Sequence, residues 1–430
     1  MLKIRVSYIR RRLLIINELG VEIMKGVILA GGRGKRLRPL TCNLPKPMVP
    51  LLHKPVMEYS IELLKKHGIT EIAITTHYLS KSIQNYFGDG SEYGVTLHYF
   101  DEDKPLGTAG CLKSAQNFLD ETFLVISGDA LTDLNLTEGI KFHKEKESLL
   151  TIFLKKVENP LEYGIVMTDC TGRVQRFIEK PKWSEVYTHT VNTGIYVVNP
   201  AIFSYWKSGT FQDFSYDLFP KLLHHNERLY GFEGEGYWSD VGKIDRYIQT
   251  QFDMLDNKVD IKIQGEEKYP RVWVGTNVSI EEGALLVGPL FIGANTVIRT
   301  GAKIDPYSII GQDNLIEANA SIERSICWND VYIGSSSKLQ GVTIANDTQI
   351  SSEAVLCEHC IIGDHSKIGY KSWIKPGVKV WSNKVIFEEA VISTSLVRSN
   401  NRGNRNIRIK IMPNKWINSS SRLKRNKRNL

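Results

Sequence analysis

Three glycines, Gly275, Gly293 and Gly311, stand 18 residues apart, each preceded by a β-branched aliphatic residue: Val274, Ile292 and Ile310. Between them aliphatic side chains recur at about every sixth position, with Gly, Asn or Asp in the gaps, as in IGANTVIRTGAKI and IGQDNLIEANASI. A period of six nested in a period of 18 leaves few options. It predicts three short strands per coil of a parallel β-helix over 271–390, with the aliphatic residues stacked inward. Gly and Asn suit the tight corners, which require backbone conformations that other residues resist. The rhythm loosens after Ile322, recovers at Ile333-Gly334 and Ile362-Gly363, and fades near Trp381.

The chain before this repeat has a different texture. From Met24 onward, apolar runs of strand length alternate with segments of helical spacing. Gly26 to Ala30, Glu71 to Thr76, Val95 to Phe100 and Glu121 to Ile126 read as strands; Met57 to His67 and Lys81 to Phe87 read as helices, the first stopped by Gly68. Such alternation predicts an α/β domain over 24–255, a Rossmann-like open and mostly parallel sheet covered on both faces. Ligands of such sheets collect at the carboxyl ends of the strands, here the turns after Ala30 and after Ile126. A helix from Lys243 to Leu255 and a polar linker over 256–270 then lead to the repeat.

Composition adds little to function but excludes some classes. The net charge of +8 is concentrated at the ends: 391–430 holds eleven Lys or Arg and no acid, and 1–23 has a surplus of three. The body, 24–390, is left with −6, so a nucleic-acid role would rest on the ends alone. No apolar run approaches the roughly 20 residues that span a bilayer, and the basic start lacks the apolar core and cleavage site of a signal peptide. Six scattered cysteines form no disulfide framework; a cytoplasmic enzyme is expected. Cys357-Glu358-His359-Cys360, with His365 nearby, is half of a zinc site with no second pair, and it falls within the repeat. Residues 1–23 are read as an extension that precedes a true start at Met24, 391–430 as a basic, disordered tail, and the part after about Thr394 as a truncated remnant or frame-shifted read.

The feature richest in chemistry is Leu29-Ala30-Gly31-Gly32-Arg33-Gly34-Lys35-Arg36-Leu37, followed by Pro45-Lys46-Pro47. Glycines let a backbone approach phosphates closely and turn N–H groups toward them. Arg36 and Lys46 supply charge to neutralise the oxygens. This is not a Walker loop, for no Gly-Lys-Ser/Thr occurs, and it lacks the Gly-x-Gly-x-x-Gly spacing. Glycine content alone would equally suit an unliganded strand-to-helix turn.

This segment resembles the signature of the sugar-1-phosphate nucleotidyltransferase family, and the resemblance continues in order along the chain. It takes in Leu106-Gly107-Thr108-Ala109-Gly110, Ser127-Gly128-Asp129, Tyr163-Gly164, Phe177-Ile178-Glu179-Lys180-Pro181, Val191-Asn192-Thr193-Gly194 and Trp238-Ser239-Asp240-Val241-Gly242. The repeat is similar to the left-handed β-helix carried by many members. The resemblance implies that a sugar-phosphate oxygen attacks the α-phosphorus of a nucleoside triphosphate and pyrophosphate leaves. It assigns Mg²⁺ to Asp129 and Asp240, the triphosphate and leaving pyrophosphate to Arg36 and Lys46, and the sugar phosphate to Lys180. Arg36, Lys46, Asp129 and Lys180 are thereby the catalytic set. Leu29, Ala30, Gly31, Gly32, Gly34, Gly107 and Thr108 fall on the nucleotide side; Gly164, Glu179 and Asn192 fall on the sugar side. Lys35 departs from the pattern, standing where relatives usually carry a small hydroxyl residue.

Leu106 to Gly110 is similar to the guanylyltransferase version of the base-side motif, and longer stretches resemble bacterial mannose-1-phosphate guanylyltransferases. The resemblance therefore implies GTP, mannose 1-phosphate and a GDP-mannose product, with a homo-oligomer expected and neither membrane nor specific nucleic acid as partner. Glucose 1-phosphate with UTP, TTP or ATP is the alternative. An inactive regulatory paralogue would have lost bases or carboxylates that this chain keeps. A β-helix acyltransferase would need a cleft histidine, for which only His359 and His365 offer themselves.

Overall fold

The computed structural model describes residues 24–397. The expectations for residues 1–23 and 398–430 lie outside the described residues; 391–397, expected to be disordered, instead continues the repeat, for Val391–Ile392 pairs parallel with Trp373–Ile374 and its aliphatic Ile392 is buried. The chain forms two compact units. The first runs to Arg33 and adds Pro45–Met48 and Pro55–Val241; the second takes Gly34–Leu44, Val49–Lys54 and the chain from Gly242 onward.

The first unit is built on a nine-stranded sheet. Its parallel part forms as expected. Lys25–Leu29 lies between Glu71–Thr76 and Phe123–Ser127, parallel to both, and Glu71–Thr76 pairs in turn with Thr96–Asp101. The centre of Lys25–Leu29 is buried, as its apolar run predicts for a strand covered on both faces. Helices Val56–Lys66 and Ser80–Phe87 fall within a residue of their predicted bounds. Beyond Ser127 the sheet becomes mixed. Thr190–Val198 runs antiparallel to both Phe123–Ser127 and Leu150–Lys156, and Gly164–Thr168 pairs antiparallel with Val174–Glu179. This half carries no strand–helix alternation in the sequence because its strands are joined largely without helices.

In the second unit, helix Ile244–Leu255 precedes three parallel sheets of eight, seven and seven strands. Only the edge strand Glu266–Tyr269, within the expected linker, is antiparallel to its neighbour. The stacked strands form the β-helix expected from the period. One wall is Ile292, Ile310, Cys327, Ile344, Ile362 and Val380, every member buried. At Gly293 the contact between coils leaves no room for a side chain, since a Cβ would lie 2.5 Å from the carbonyl carbon of Gly311; on later coils Trp328, Ala345 and Trp381 hold the same register position. The loosened rhythm has a specific origin. Leu290–Ile292 pairs with Ser308–Ile310 at an offset of 18, whereas Ile309 pairs with Ile326 and Ile326 with Thr343 at 17. One corner residue is missing between Glu323 and Ile326 and another between Gln340 and Thr343, and the offset of 18 returns at Thr343 and Ile361.

Candidate active site

The site of the first unit forms where the central strands end. Leu29 is in register with Ser127, and the Gly128 N–H donates to the Leu29 carbonyl at 3.0 Å. Gly128 cannot carry a side chain here, since a Cβ would sit 2.9 Å from Ile28 Cγ2. The glycine turn after Ala30 and the loop carrying Asp129 are therefore adjacent. Lys46, in the short helical turn Lys46–Met48, donates its backbone N–H to the Gly32 carbonyl at 3.3 Å, which fixes it against the glycine turn. Asp240 arrives from more than a hundred residues away because Trp238–Asp240 pairs antiparallel with Ala130–Thr132, placing Asp240 opposite Ala130. The Val241 N–H donates to the Asp129 carbonyl at 3.1 Å.

These constraints bring three charges together. The Lys46 ammonium donates to Asp129 and, at 3.1 Å, to Asp240 Oδ1. The Ser127 hydroxyl also donates to Asp129. Burial by itself would lower the Lys46 pKa, but the charges of Asp129 and Asp240 outweigh it and hold the ammonium above its ordinary range. Burial would likewise raise Asp129, and Lys46 with Ser127 pulls it below. Among the described residues no group of three His, Cys, Asp or Glu gathers. Two hard carboxylate donors that reach a common point nevertheless fit Mg²⁺, which commonly takes one or two carboxylates and completes its shell with phosphate oxygens and water.

The other expected residues form a second cluster. Thr108 Oγ1 donates to Asp213 Oδ2 at 2.9 Å and accepts the Phe214 N–H at 3.0 Å. Gly107 has φ +82°, and a Cβ there would meet the Gln212 carbonyl oxygen at 2.4 Å. Glu179 is raised by burial, opposed by a hydrogen bond from Ser215 and by the charge of Lys180, whose ammonium lies 3.7 Å away. Gly164 lies under Phe177 and Glu179, with no room for a Cβ. Lys180 adopts φ +49° and donates its N–H to the Tyr163 carbonyl at 3.0 Å. Asn192 is occupied locally: its carbonyl accepts the Gly194 N–H at 2.9 Å and its amide donates to Tyr196 Oη at 3.0 Å. Tyr163 and Trp238 meet edge to face, 5.2 Å between centroids. Leu29 and Gly31 are half-buried, Ala30 is buried and Gly32 is exposed. Gly34 (φ +59°) and exposed Arg36 belong to the segment that packs with the second unit. Asp213, Ser215 and Tyr196 escaped the sequence reading. Asp213 caps the turn Phe214–Leu218 through the N–H groups of Ser215 and Tyr216, an ordinary capping pattern that gives no hint of Thr108 or Glu179.

Comparison with known proteins decides the family. Residues 25–257 match the Nucleotidyl transferase family, and 286–397 match the GMPPB C-terminal domain. The chain belongs to the sugar-1-phosphate nucleotidyltransferase family. It is 39% identical over 332 residues to a UTP–glucose-1-phosphate uridylyltransferase of Synechocystis, covering 74% of this chain and 86% of that one. It is 30% identical over 356 residues to mannose-1-phosphate guanylyltransferase 1 of Arabidopsis thaliana, covering 80% of this chain and 97% of that one. A solved structure from Bacillus anthracis, provisionally named a glucose-1-phosphate thymidylyltransferase, superposes with a TM-score of 0.50 at 25% identity, covering 56% of this chain and 97% of its own. The charged trio, Lys46, Asp129 and Asp240, falls within the residues that match the Nucleotidyl transferase family. No helix among the described residues is long and apolar enough to cross a membrane.

Proposed function

We propose that the protein transfers a nucleotidyl group from GTP to mannose 1-phosphate, giving GDP-mannose and pyrophosphate. The observation that carries the reaction class is the meeting of Lys46, Asp129 and Asp240 beside the glycine turn. Both reactants are anions, so the protein's task is to hold them in line and offset their charge. A phosphate oxygen of the sugar phosphate forms a bond to the α-phosphorus, the bond to the bridging oxygen of the β-phosphate breaks, and pyrophosphate carries away the electron pair.

In this reading the turn Gly31-Gly32 with Gly34 presents backbone N–H groups to the triphosphate, and Arg36 and Lys46 neutralise the departing pyrophosphate. Asp129 and Asp240 hold Mg²⁺, which when bound offsets charge on the phosphate oxygens. Lys180 binds the sugar phosphate, and Glu179, accepting hydrogen bonds, receives a sugar hydroxyl. Leu29, Ala30, Gly107 and Thr108 flank the base. The guanine and mannose assignments rest on Leu106 to Gly110 and on full-length similarity to the plant guanylyltransferase. Glucose 1-phosphate with UTP is the second reading, favoured by the 39% identity to the uridylyltransferase.

Pyrophosphate release, measured with each of four nucleoside triphosphates crossed with mannose, glucose and fucose 1-phosphates, tests both. GTP with mannose 1-phosphate should give the highest kcat/KM. A preference for UTP with glucose 1-phosphate would establish the second reading, and no release from any pair would refute the transferase reading altogether.

A further inference from the structure

Three consecutive residues that no motif marks, Asp213, Phe214 and Ser215, each reach a different part of the candidate site, and all lie in the first unit. Asp213 Oδ2 accepts the Thr108 hydroxyl at 2.9 Å, and the Phe214 N–H donates to that hydroxyl's oxygen at 3.0 Å. Gln212 strengthens the attachment. Its carbonyl accepts the N–H groups of Ala109 and Gly110 at 3.0 and 2.9 Å, and its own N–H donates to the Leu106 carbonyl at 2.8 Å. The buried Phe214 ring lies 4.4 Å from the ring of Tyr196, whose hydroxyl accepts the Asn192 amide. The Ser215 hydroxyl hydrogen-bonds to the Glu179 carboxylate.

A wide turn lets three successive side chains diverge in this way. Phe214–Leu218 is π-helical, with the Phe219 N–H reaching back to the Phe214 carbonyl, a geometry frequent at functional sites. The two oxygens of Asp213 divide the work. Oδ2 holds Thr108, while Oδ1 accepts the N–H groups of Ser215 at 2.8 Å and Tyr216 at 3.1 Å, which fixes the backbone from which Ser215 faces Glu179.

We propose that Asp213 and Ser215 are positioning residues that serve both substrates: one carboxylate holds Thr108 on the nucleotide side and, through the turn it caps, sets Ser215 against Glu179 on the sugar side. The substrate roles of Thr108 and Glu179 rest on the function proposed above; the bonds that join them do not.

The test uses the full chain and whichever pair of substrates the wild type prefers. Thr108→Val should raise KM for the nucleotide about tenfold and leave KM for the sugar phosphate within about twofold. Ser215→Ala should do the reverse, and Asp213→Ala should raise both. A pH profile separates positioning from mere support of the fold. Burial raises Glu179; Ser215 and the charge of Lys180 oppose it, and the charge of Asp213 adds to it. Without the Ser215 hydroxyl, Glu179 takes up its proton at a higher pH, so sugar-phosphate affinity should begin to fall earlier on acidification than in the wild type. Ser215→Thr, which keeps a hydroxyl, should restore both KM and the profile. Thr108→Val and Ser215→Ala carry the test if Asp213→Ala does not fold. A wild type that turns over no pair would refute the proposed reaction and this inference with it. An active wild type would overturn this inference alone if folded Ser215→Ala kept the wild-type pH profile, if Asp213→Ala raised only one KM, or if the two single-sided variants raised both.

Discussion

The side-chain nitrogen of Lys46 is hydrogen-bonded to the carboxylate of Asp129 across 83 positions of sequence, and the same nitrogen reaches Asp240 at 3.1 Å. One ammonium therefore balances two carboxylates in a largely buried place. Opposite charges there favour each other's ionised form, and removal of one leaves the others uncompensated.

Lys46→Ala should lose at least about 100-fold in pyrophosphate release. It should also lower the unfolding free energy by about 2 kcal/mol, because two half-buried carboxylates are left facing each other. Millimolar Mg²⁺ should restore part of that stability but little of the rate. Urea denaturation with and without the ion checks this.

Stability should depend on pH through Asp129. Its folded pKa lies below the ordinary 3.8, so the stabilisation is complete above that value and is lost as pH falls through the folded one. Asp129→Asn should unfold at lower urea than the wild type at pH 7. The two midpoints should converge as pH is taken below about 4, and parallel urea curves from pH 7 to pH 3 would show it.

Gly107→Ala should destabilise the chain by about 2 kcal/mol, since alanine at φ +82° is strained and its Cβ would collide with the Gln212 carbonyl. The displaced loop would pull Asp213 from Thr108, so KM for the nucleotide should rise more than KM for the sugar phosphate. Thermal unfolding and initial-rate kinetics read the two effects.

Glu179 is held above its ordinary 4.5 by burial, with Ser215 and Lys180 in opposition. An acid of raised pKa is protonated at a higher pH than a surface glutamate. Affinity for the sugar phosphate should therefore fall on acidification before the affinity for nucleotide does. In Glu179→Gln that early fall should be absent and KM for the sugar phosphate should be raised about tenfold at pH 7.5, the loss expected for a hydrogen bond to a charged group.

Ile344→Ala, in the middle of one β-helix wall, should cost about 3 kcal/mol, because rigid coils above and below cannot close the cavity. Hydrogen exchange should show the loss spreading to the coils of Cys327 and Ile362, whose strands pair directly with its own.

By itself the sequence determined whatever depends on local repetition. The 18-residue spacing of Gly275, Gly293 and Gly311 set the β-helix, because each coil meets only its neighbours and must repeat their side-chain choices. Strand–helix alternation likewise gave the parallel strands from Lys25 to Ser127, and the ordered motifs marked Lys46, Asp129 and Asp240 as candidates. Only the tertiary structure decided what rests on pairing between distant segments. The strand Trp238–Asp240 lies against Ala130–Thr132 and so brings Asp240 to Asp129; Asp213 reaches both Thr108 and the surroundings of Glu179; Trp381 meets Arg38. No periodicity encodes such meetings, since each depends on the register of whole elements and not on the residues near it in the chain.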